Sequence, residues 1–250
     1  MYEQLRDVAN DTPGVMTMGE ARDDAACAFL RQVDLLRTLS PADLHHLASA
    51  TRFQRVENRA ALVADDVAPE CIHFVTQGAG KVSRIDINGR ETLMYLVKPG
   101  EVFEAPLPGR REVDDTTKFT ALATSTVGRV PAHSVERVLG NAKYVAALGQ
   151  IMSKRLRKAE ERLDDMTNGS VSCRTARVLL RLCNEFPRAL HCGTKVDLLL
   201  TQQDLAGIIG ATREYMNATL SAFRREGWLD VHDRYMCIHE PNQLSEQVLC

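Results

Sequence analysis

The sequence predicts an α+β protein built from an antiparallel β-domain, one long helix and a C-terminal winged helix-turn-helix. Three observations carry that prediction. Between Cys71 and Pro131, strand-like segments are punctuated repeatedly by glycine turns. From Asn141 to Met166 the chain has no proline and a single glycine, which predicts a continuous helix. From Leu200 to Leu229 the stretch LTQQDLAGIIGATREYMNATLSAFRREGWL sets two short amphipathic helices close together.

The bulk properties leave room for this plan and exclude others. A chain of 250 residues, 44% hydrophobic and 26% charged, is long enough for one large or two ordinary globular domains. Its net charge of −2 supplies no overall attraction to nucleic acid, so any such contact must come from local placement of Lys and Arg. No apolar run approaches the roughly 20 residues of a membrane span, and the start MYEQLRDVANDTPG lacks a signal-peptide pattern, so the expected location is cytoplasmic. Cysteines at 27, 71, 173, 183, 192, 237 and 250 have no C-x-x-C spacing, which argues against a disulfide framework or a zinc ribbon and for reduced thiols.

Residues 1–28 are polar, lack clear periodicity and read as a flexible N-terminal arm or a loosely docked helix. A short helix (FLRQVDLL) starts at Phe29, and Ser40-Pro41 caps a second one (ADLHHLASA). The segments CIHFVTQG, GKVSRIDI, ETLMYLV, FTALA and TVGRVP read as strands, and Asn88-Gly89 is the strongest hairpin signal. Helix resumes at Ser134 to Leu139. These segments define a domain over 29–140, a long helix over 141–168 and a C-terminal domain over 169–250.

Within the long helix Val145, Gly149, Met152, Leu156, Ala159, Leu163 and Met166 are spaced 4, 3, 4, 3, 4, 3. Flanked by Lys154, Arg155, Arg157, Lys158, Glu160 and Glu161, this is a heptad seam that suits pairing with a second copy; packing within the chain is the other reading. Asn168-Gly169 breaks the helix before an amphipathic segment from Arg174 to Phe186.

In the quoted stretch Thr201 and Asp204 form a capping-box-like start, and Leu205, Ile208 and Ile209 make one buried stripe. Gly210 ends that helix in a left-handed conformation, and Thr212 caps a second whose apolar face is Met216, Leu220 and Phe223. Arg213, Glu214, Asn217 and Ser221 then form a polar ridge of the kind a DNA major groove accepts. LDVH and YMCIHE, around His232-Asp233-Arg234, read as the hairpin wing.

This order of parts resembles the Crp/Fnr family of bacterial transcription regulators from about Phe29 to His239. The residues that carry the resemblance are A-T-R-E (Ala211 to Glu214) after LTQQDLAGIIG, TLMYLVKPGE (Thr92 to Glu101), ALATSTVGRVP (Ala121 to Pro131) and Ser172, Arg174 and Ala176. It implies a β-roll of the cyclic-nucleotide-binding jelly-roll type, a dimerisation helix and a winged helix-turn-helix that reads a near-palindromic operator as a homodimer. The partners it implies are double-stranded DNA, a second copy and RNA polymerase. Arg213 matches guanine O6 and N7, and Glu214 accepts from a cytosine amino group while orienting that arginine. Family members usually carry a second arginine four residues after this glutamate; here Ala218 stands there, and Asn217 or Tyr215 is the candidate to replace it. Thr201, Gln202 and Gln203 are expected near phosphate, as are Arg174, Arg177, Arg224 and Arg225.

Nucleotide-binding members hold their ligand with a Gly-Glu pair for the ribose and an Arg-Ser pair for the phosphate. A gap-free alignment between Gly100-Glu101 and ALATSTV puts Glu104, Ala105, Asp115 and Thr116 at those positions, and Ala159 and Glu160 at the adenine-facing helix positions. Asp115 repels the phosphate an arginine would attract, so the resemblance implies a regulator that has lost the cyclic-AMP clamp. An Fnr-type iron–sulfur cluster requires four thiolates, and only Cys27 and Cys71 precede the long helix. Cys71 and His73 fall on one face of a strand, either as a haem or metal pair or as a buried thiol beside a half-buried histidine. The adjacent His45 and His46 suggest no metal site, and Asp164-Asp165 reads as surface charge. With no P-loop, G-x-S-x-G or H-E-x-x-H, no enzyme, metal or bound cofactor is expected. The alternatives are a haem, gas or redox sensor in the β-roll and, more remotely, a scaffold or small-molecule-binding protein that does not bind DNA.

Overall fold

The computed structural model describes residues 20–62, 70–105, 117–190, 193–196, 198, 200–232 and 235–248. The described residues divide into two compact units, one drawn from residues 20–82 and 96–151, the other from 83–95 and 152–248.

The first unit opens with α1 (Glu20–Leu30), a 3₁₀ turn (Asp34–Leu36) and α2 (Pro41–Ala50), then β1 (Arg52–Val56), β2 (Ala61–Leu62), β3 (Cys71–Gln77) and β4 (Gly80–Ile85). β5 (Glu91–Val97), which with the end of β4 falls mainly in the second unit, is followed by β6 (Val102–Glu104), β7 (Thr117–Ala121), β8 (Ser125–Pro131) and α3 (Ala132–Leu139) of the first. The strands form two sheets, ordered β1-β8-β3-β6 and β2-β7-β4-β5, with antiparallel β1–β8, β3–β8, β3–β6 and β2–β7 pairs. β3 is buried along Cys71 to Thr76, the mark of a strand covered on both faces. Ile72 and Phe74 join Leu30, Leu36, Leu44, Leu47, Phe53, Tyr144 and Leu148 in one core, which leaves Cys71, His73 and Val75 on the opposite face of the strand.

The N-terminal helix differs from the sequence expectation. Instead of one helix from Phe29 to Leu36, α1 starts at Glu20, ends at Leu30 and gives way to the 3₁₀ turn. Tertiary contacts cause the break: Asp34 N–H donates to the Gly100 carbonyl at 2.9 Å, and the Gln32 carbonyl packs where a Cβ on Gly100 would lie, 2.3 Å away. Ala26 and Cys27 of α1 are buried in the core, so of the two readings of this stretch, arm or docked helix, its described end takes the helical one.

Ser40 Oγ accepts from Asp43 N–H at 3.2 Å, as its place before Pro41 predicts. The β4–β5 connection is closed by Asp86, whose Oδ1 accepts from the N–H groups of Asn88 and Arg90 at 2.8 and 2.9 Å, with Gly89 at positive φ. α4 (Asn141–Asn168) runs on from the first unit into the second.

The second unit continues with α5 (Val171–Glu185), β9 (Pro187–Leu190), β10 (Gly193–Val196), α6 (Gln202–Ile209), α7 (Arg213–Arg225), β11 (Leu229–His232), β12 (Tyr235–Ile238) and α8 (Pro241–Gln247). α5 begins earlier than its periodicity suggests because Ser170 Oγ accepts from Cys173 N–H at 3.1 Å. The expected β11–β12 hairpin forms, and β10 and β9 extend it to a sheet ordered β11-β12-β10-β9. Leu179, Leu182, Leu198, Ile209, Met216, Ile238 and Leu244 make its buried interior. Among the described residues no helix is long and apolar enough to cross a membrane, and no group of three or more His, Cys, Asp and Glu side chains is placed to hold a metal ion.

Candidate nucleic-acid interface

The α6–α7 corner is set by local hydrogen bonds. Thr201 and Asp204 form a complete capping box: Asp204 N–H donates to Thr201 Oγ1 at 3.0 Å, and Thr201 N–H returns to Asp204 Oδ2 at 3.0 Å. The Thr201 hydroxyl also donates to Asp204 at 2.7 Å, so the cap engages it as both donor and acceptor. Gly210 ends α6 at φ 70°, ψ 42°, and its N–H and that of Ala211 both reach the Ala206 carbonyl. A side chain there would also collide with Met166, whose Cε lies 2.4 Å from the Cβ position. Thr212 caps α7, accepting from Tyr215 N–H at 3.4 Å.

α7 buries Met216, Leu220 and Phe223, which turns Arg213, Glu214, Tyr215, Ser221 and Arg225 to solvent, with Asn217 half-buried. Gln202 Oε1 accepts from Arg213 Nε at 3.0 Å and from Asn217 Nδ2 at 3.4 Å, drawing three expected site residues into one cluster across the corner. The Glu214 carboxyl is held below its ordinary value by its own backbone N–H, then by the Thr212 hydroxyl and the Arg213 charge, so it is a carboxylate at neutral pH. Gln203 is exposed on the first turn of α6, and Ala218 is exposed without any polar group to offer.

The other arginines divide. Arg174, expected at DNA, has its guanidinium on three carbonyls: Nη1 on Met166 and Gly169 at 3.2 and 2.8 Å, and Nη2 on Gly210 at 3.1 Å. Arg177 pairs with Asp165, which is therefore a partnered carboxylate rather than plain surface charge. Arg224 lies 3.6 Å from Asp230, and Arg225 is exposed at the end of α7.

On α4 the seam is exposed: Val145, Leu156, Leu163 and Met166 are large apolar side chains open to solvent, as are Gly149 and Ala159, while Met152 is half-buried. A second stripe, one residue displaced, runs Tyr144, Leu148, Ile151, Arg155, Lys158, Arg162 and Asp165. Its apolar members enter the core, and its charged members find partners within the second unit. Arg155 lies over the Tyr95 ring at 4.8 Å, and Lys158 is 3.8 Å from Glu185. Arg162 donates to the carbonyls of Leu93 at 3.4 Å, Met94 at 3.2 Å and Gly207. Sequence reasoning missed this stripe by counting Arg155 and Lys158 as seam flanks, Asp165 as surface charge and Arg162 not at all; its own 4-3 spacing was the available signal.

In the β-roll, Glu104 pairs in register with His73, and Ala105 packs against the hydrophobic core. Asp115 and Thr116 lie outside the described residues. Ala159 and Glu160 are exposed. Ala105, which the sequence alignment sets against the family's ribose-binding glutamate, has no side-chain hydrogen-bond acceptor. His73 is fully buried, not half-buried as the sequence suggested, with its ring 5.9 Å from that of Phe103. Burial first and the Arg129 charge second push its pKa down to about 4, a nearby Cys71 backbone group offsetting part of the shift, so the ring is neutral. Neither ring nitrogen makes a well-formed hydrogen bond to the protein. Burial also pushes the Cys71 thiol up, away from a reactive thiolate. His45 and His46 are both exposed on α2.

The Cyclic nucleotide-binding domain family matches residues 53–142 and the Crp-like helix-turn-helix domain family matches residues 173–247, together about two thirds of the chain. Among curated proteins, the chain is similar to a CRP-like cAMP-activated global transcriptional regulator of Mycobacterium tuberculosis, 26% identical over 182 residues that cover 70% of this chain and 79% of that one. It is likewise 26% identical over 181 residues to the Global nitrogen regulator of Nostoc sp., covering 71% and 81% of the two chains. Among solved structures, FixK2 from Bradyrhizobium japonicum shares the fold at a TM-score of 0.64 and 20% identity, over 79% of this chain and 96% of that one. With both domain families matched in order and the α6–α7 corner in place, the chain belongs to the Crp/Fnr family of DNA-binding transcription regulators.

Proposed function

We propose that this chain is a homodimeric, sequence-specific regulator that reads a near-palindromic operator with α7 of each subunit and works without cyclic AMP. The observation that carries the reading is the polar face of α7, which begins at the helix N-terminus and presents exposed Arg213, Glu214 and Ser221 with half-buried Asn217, Tyr215 being exposed to one side. The Arg213 fork suits guanine O6 and N7, and the Glu214 carboxylate suits a cytosine amino group. Gln203 and Arg225 serve the phosphates, while Arg174 braces the corner through the Gly210 carbonyl. Pairing is supported by the exposed apolar seam of α4, which water does not satisfy. The DNA partner implies a cytoplasmic location and RNA polymerase as the machinery acted upon.

Selection of bound sites from random duplexes tests this directly, and two half-sites about one helical turn apart are expected. At the selected operator Arg213→Ala should cost about 1–3 kcal/mol and flatten discrimination at one G·C pair per half-site, with non-specific binding little changed. Equal weakening of every duplex, with base preference intact, would sink the assignment of α7.

Independence from cyclic AMP is supported by Ala105 and by Asp115 at the phosphate-clamp position. Millimolar cyclic AMP should change neither melting temperature nor operator affinity, since a ligand that binds the native state must stabilise it. A saturable rise in melting temperature defeats this part. A second reading keeps the class and places a haem, gas or redox sensor in the β-roll, supported by the buried His73 beside Cys71. Visible absorbance of the purified protein tests its haem form.

A further inference from the structure

We infer that Gln202 is a positioning residue that locks Arg213 and Asn217 into one reading unit, so that the protein distinguishes an A·T pair next to the guanine read by Arg213. The inference rests on the reading of α7 as the base-contacting helix and adds to it a second specificity position and the residue that sets it. The geometry leaves little freedom in the chemistry. Arg213 Nε–H can only donate, so the Gln202 atom 3.0 Å from it must be the carbonyl oxygen. That oxygen is an acceptor, so the Asn217 atom 3.4 Å from it must be the amide nitrogen. One donor-only group therefore orients both amides in turn.

Each orientation has a consequence for readout. With Nε engaged, Arg213 keeps Nη1 and Nη2 for the end-on bidentate contact that guanine accepts. Asn217, one turn further along the same face, keeps its Oδ1 acceptor and its second N–H. An acceptor beside a donor complements adenine, which offers N6–H and N7, and matches no other base edge in the major groove as well. The neighbouring Ala218 presents no hydrogen-bonding group, so Asn217 carries the second position alone. Gln202 acts here through its two partners, in place of the phosphate contact expected from its position at the start of α6.

The test uses the full-length protein and its selected operator, with variants of that operator changed at the G·C pair and at the neighbouring A·T pair. Gln202→Ala should lower discrimination at both pairs by about tenfold each, while affinity for unrelated duplex and the salt slope stay unchanged. Asn217→Ala should lower it at the A·T pair alone. Gln202→Glu retains the acceptor oxygens, so it should keep both preferences while weakening all duplexes through its added negative charge. A Gln202→Ala variant that binds every duplex more weakly with both preferences intact assigns Gln202 to phosphate and overturns the inference; so does loss of discrimination at the G·C pair only. Arg213→Ala separates the two levels of the argument. If it flattens the G·C pair while Gln202→Ala changes neither preference, only the coupling fails; if it leaves base preference intact, the reading of α7 fails with it.

Discussion

Helix α4 carries two stripes of the same 4-3 spacing, one residue apart, and their fates differ. The stripe from Val145 to Met166 is apolar or small throughout, yet Leu156 is 61% and Leu163 65% exposed. The stripe from Tyr144 to Asp165 is apolar only in its first half, yet it is the one engaged along its length, first by the core and then by carbonyls, a carboxylate, an arginine and an aromatic ring. Apolar periodicity therefore does not by itself identify the inward face of a helix. Arg162 shows why: carbonyls from two other segments need donors, and a long guanidinium satisfies them where leucine could not. An exposed leucine stripe has no such use within the chain, and the proposed pairing with a second copy would bury it.

This contrast breaks most visibly at Leu156. In the proposed dimer, Leu156→Asp would bury an unpaired carboxylate twice at the centre of the paired helices, at a cost on the order of 3–5 kcal/mol. Sedimentation should then show monomer with undiminished helix content, and operator affinity should fall roughly 100-fold or more as the two half-sites lose their tether. A variant that stays fully dimeric would show that the seam is misassigned. Next in size is Arg162→Met, which keeps most of the stem and removes the donors. Urea unfolding should report a loss of about 2 kcal/mol with the dimer intact, because the hydrogen bonds lost are charge-assisted. Loss of the dimer without loss of stability would reverse the roles of the two stripes. The smallest effect belongs to Asp165→Asn, which weakens a partly exposed ion pair with Arg177. A double-mutant cycle with Arg177→Met should give about 0.2–1 kcal/mol, shrinking as salt is raised; coupling that is independent of salt would mean the contact is packing rather than charge.

Legibility followed the range of the forces. The caps at Ser40, Thr201 and Thr212 and the left-handed end at Gly210 were readable because each acts within one turn of the chain. The longer strands were readable from their glycine-bounded segments, but β6 has three residues and β2 two, too short to show a period. α1 lies in a polar stretch whose few buried residues, Ala26 and Cys27, declare themselves only against the core. In the candidate site, the exposed ridge of α7 follows from the spacing of Met216, Leu220 and Phe223, whereas the cluster at Gln202 joins residues 11 and 15 positions apart across a corner.

By itself, then, the sequence determined the helix caps at Ser40, Thr201 and Thr212 and the stop at Gly210, which residues line the polar ridge of α7, and that α4 bears an apolar seam. Each is a property of neighbours along the chain, set by hydrogen bonds and side-chain spacing over a few residues. Only the tertiary structure decided which charged groups are already engaged. Arg174 meets a carbonyl 36 residues away and Arg162 carbonyls 45 and 69 away, while Gln202 becomes an acceptor for two α7 side chains. A charged or amide side chain has no preferred partner in the sequence; the fold assigns one by bringing distant segments to within about 3 Å.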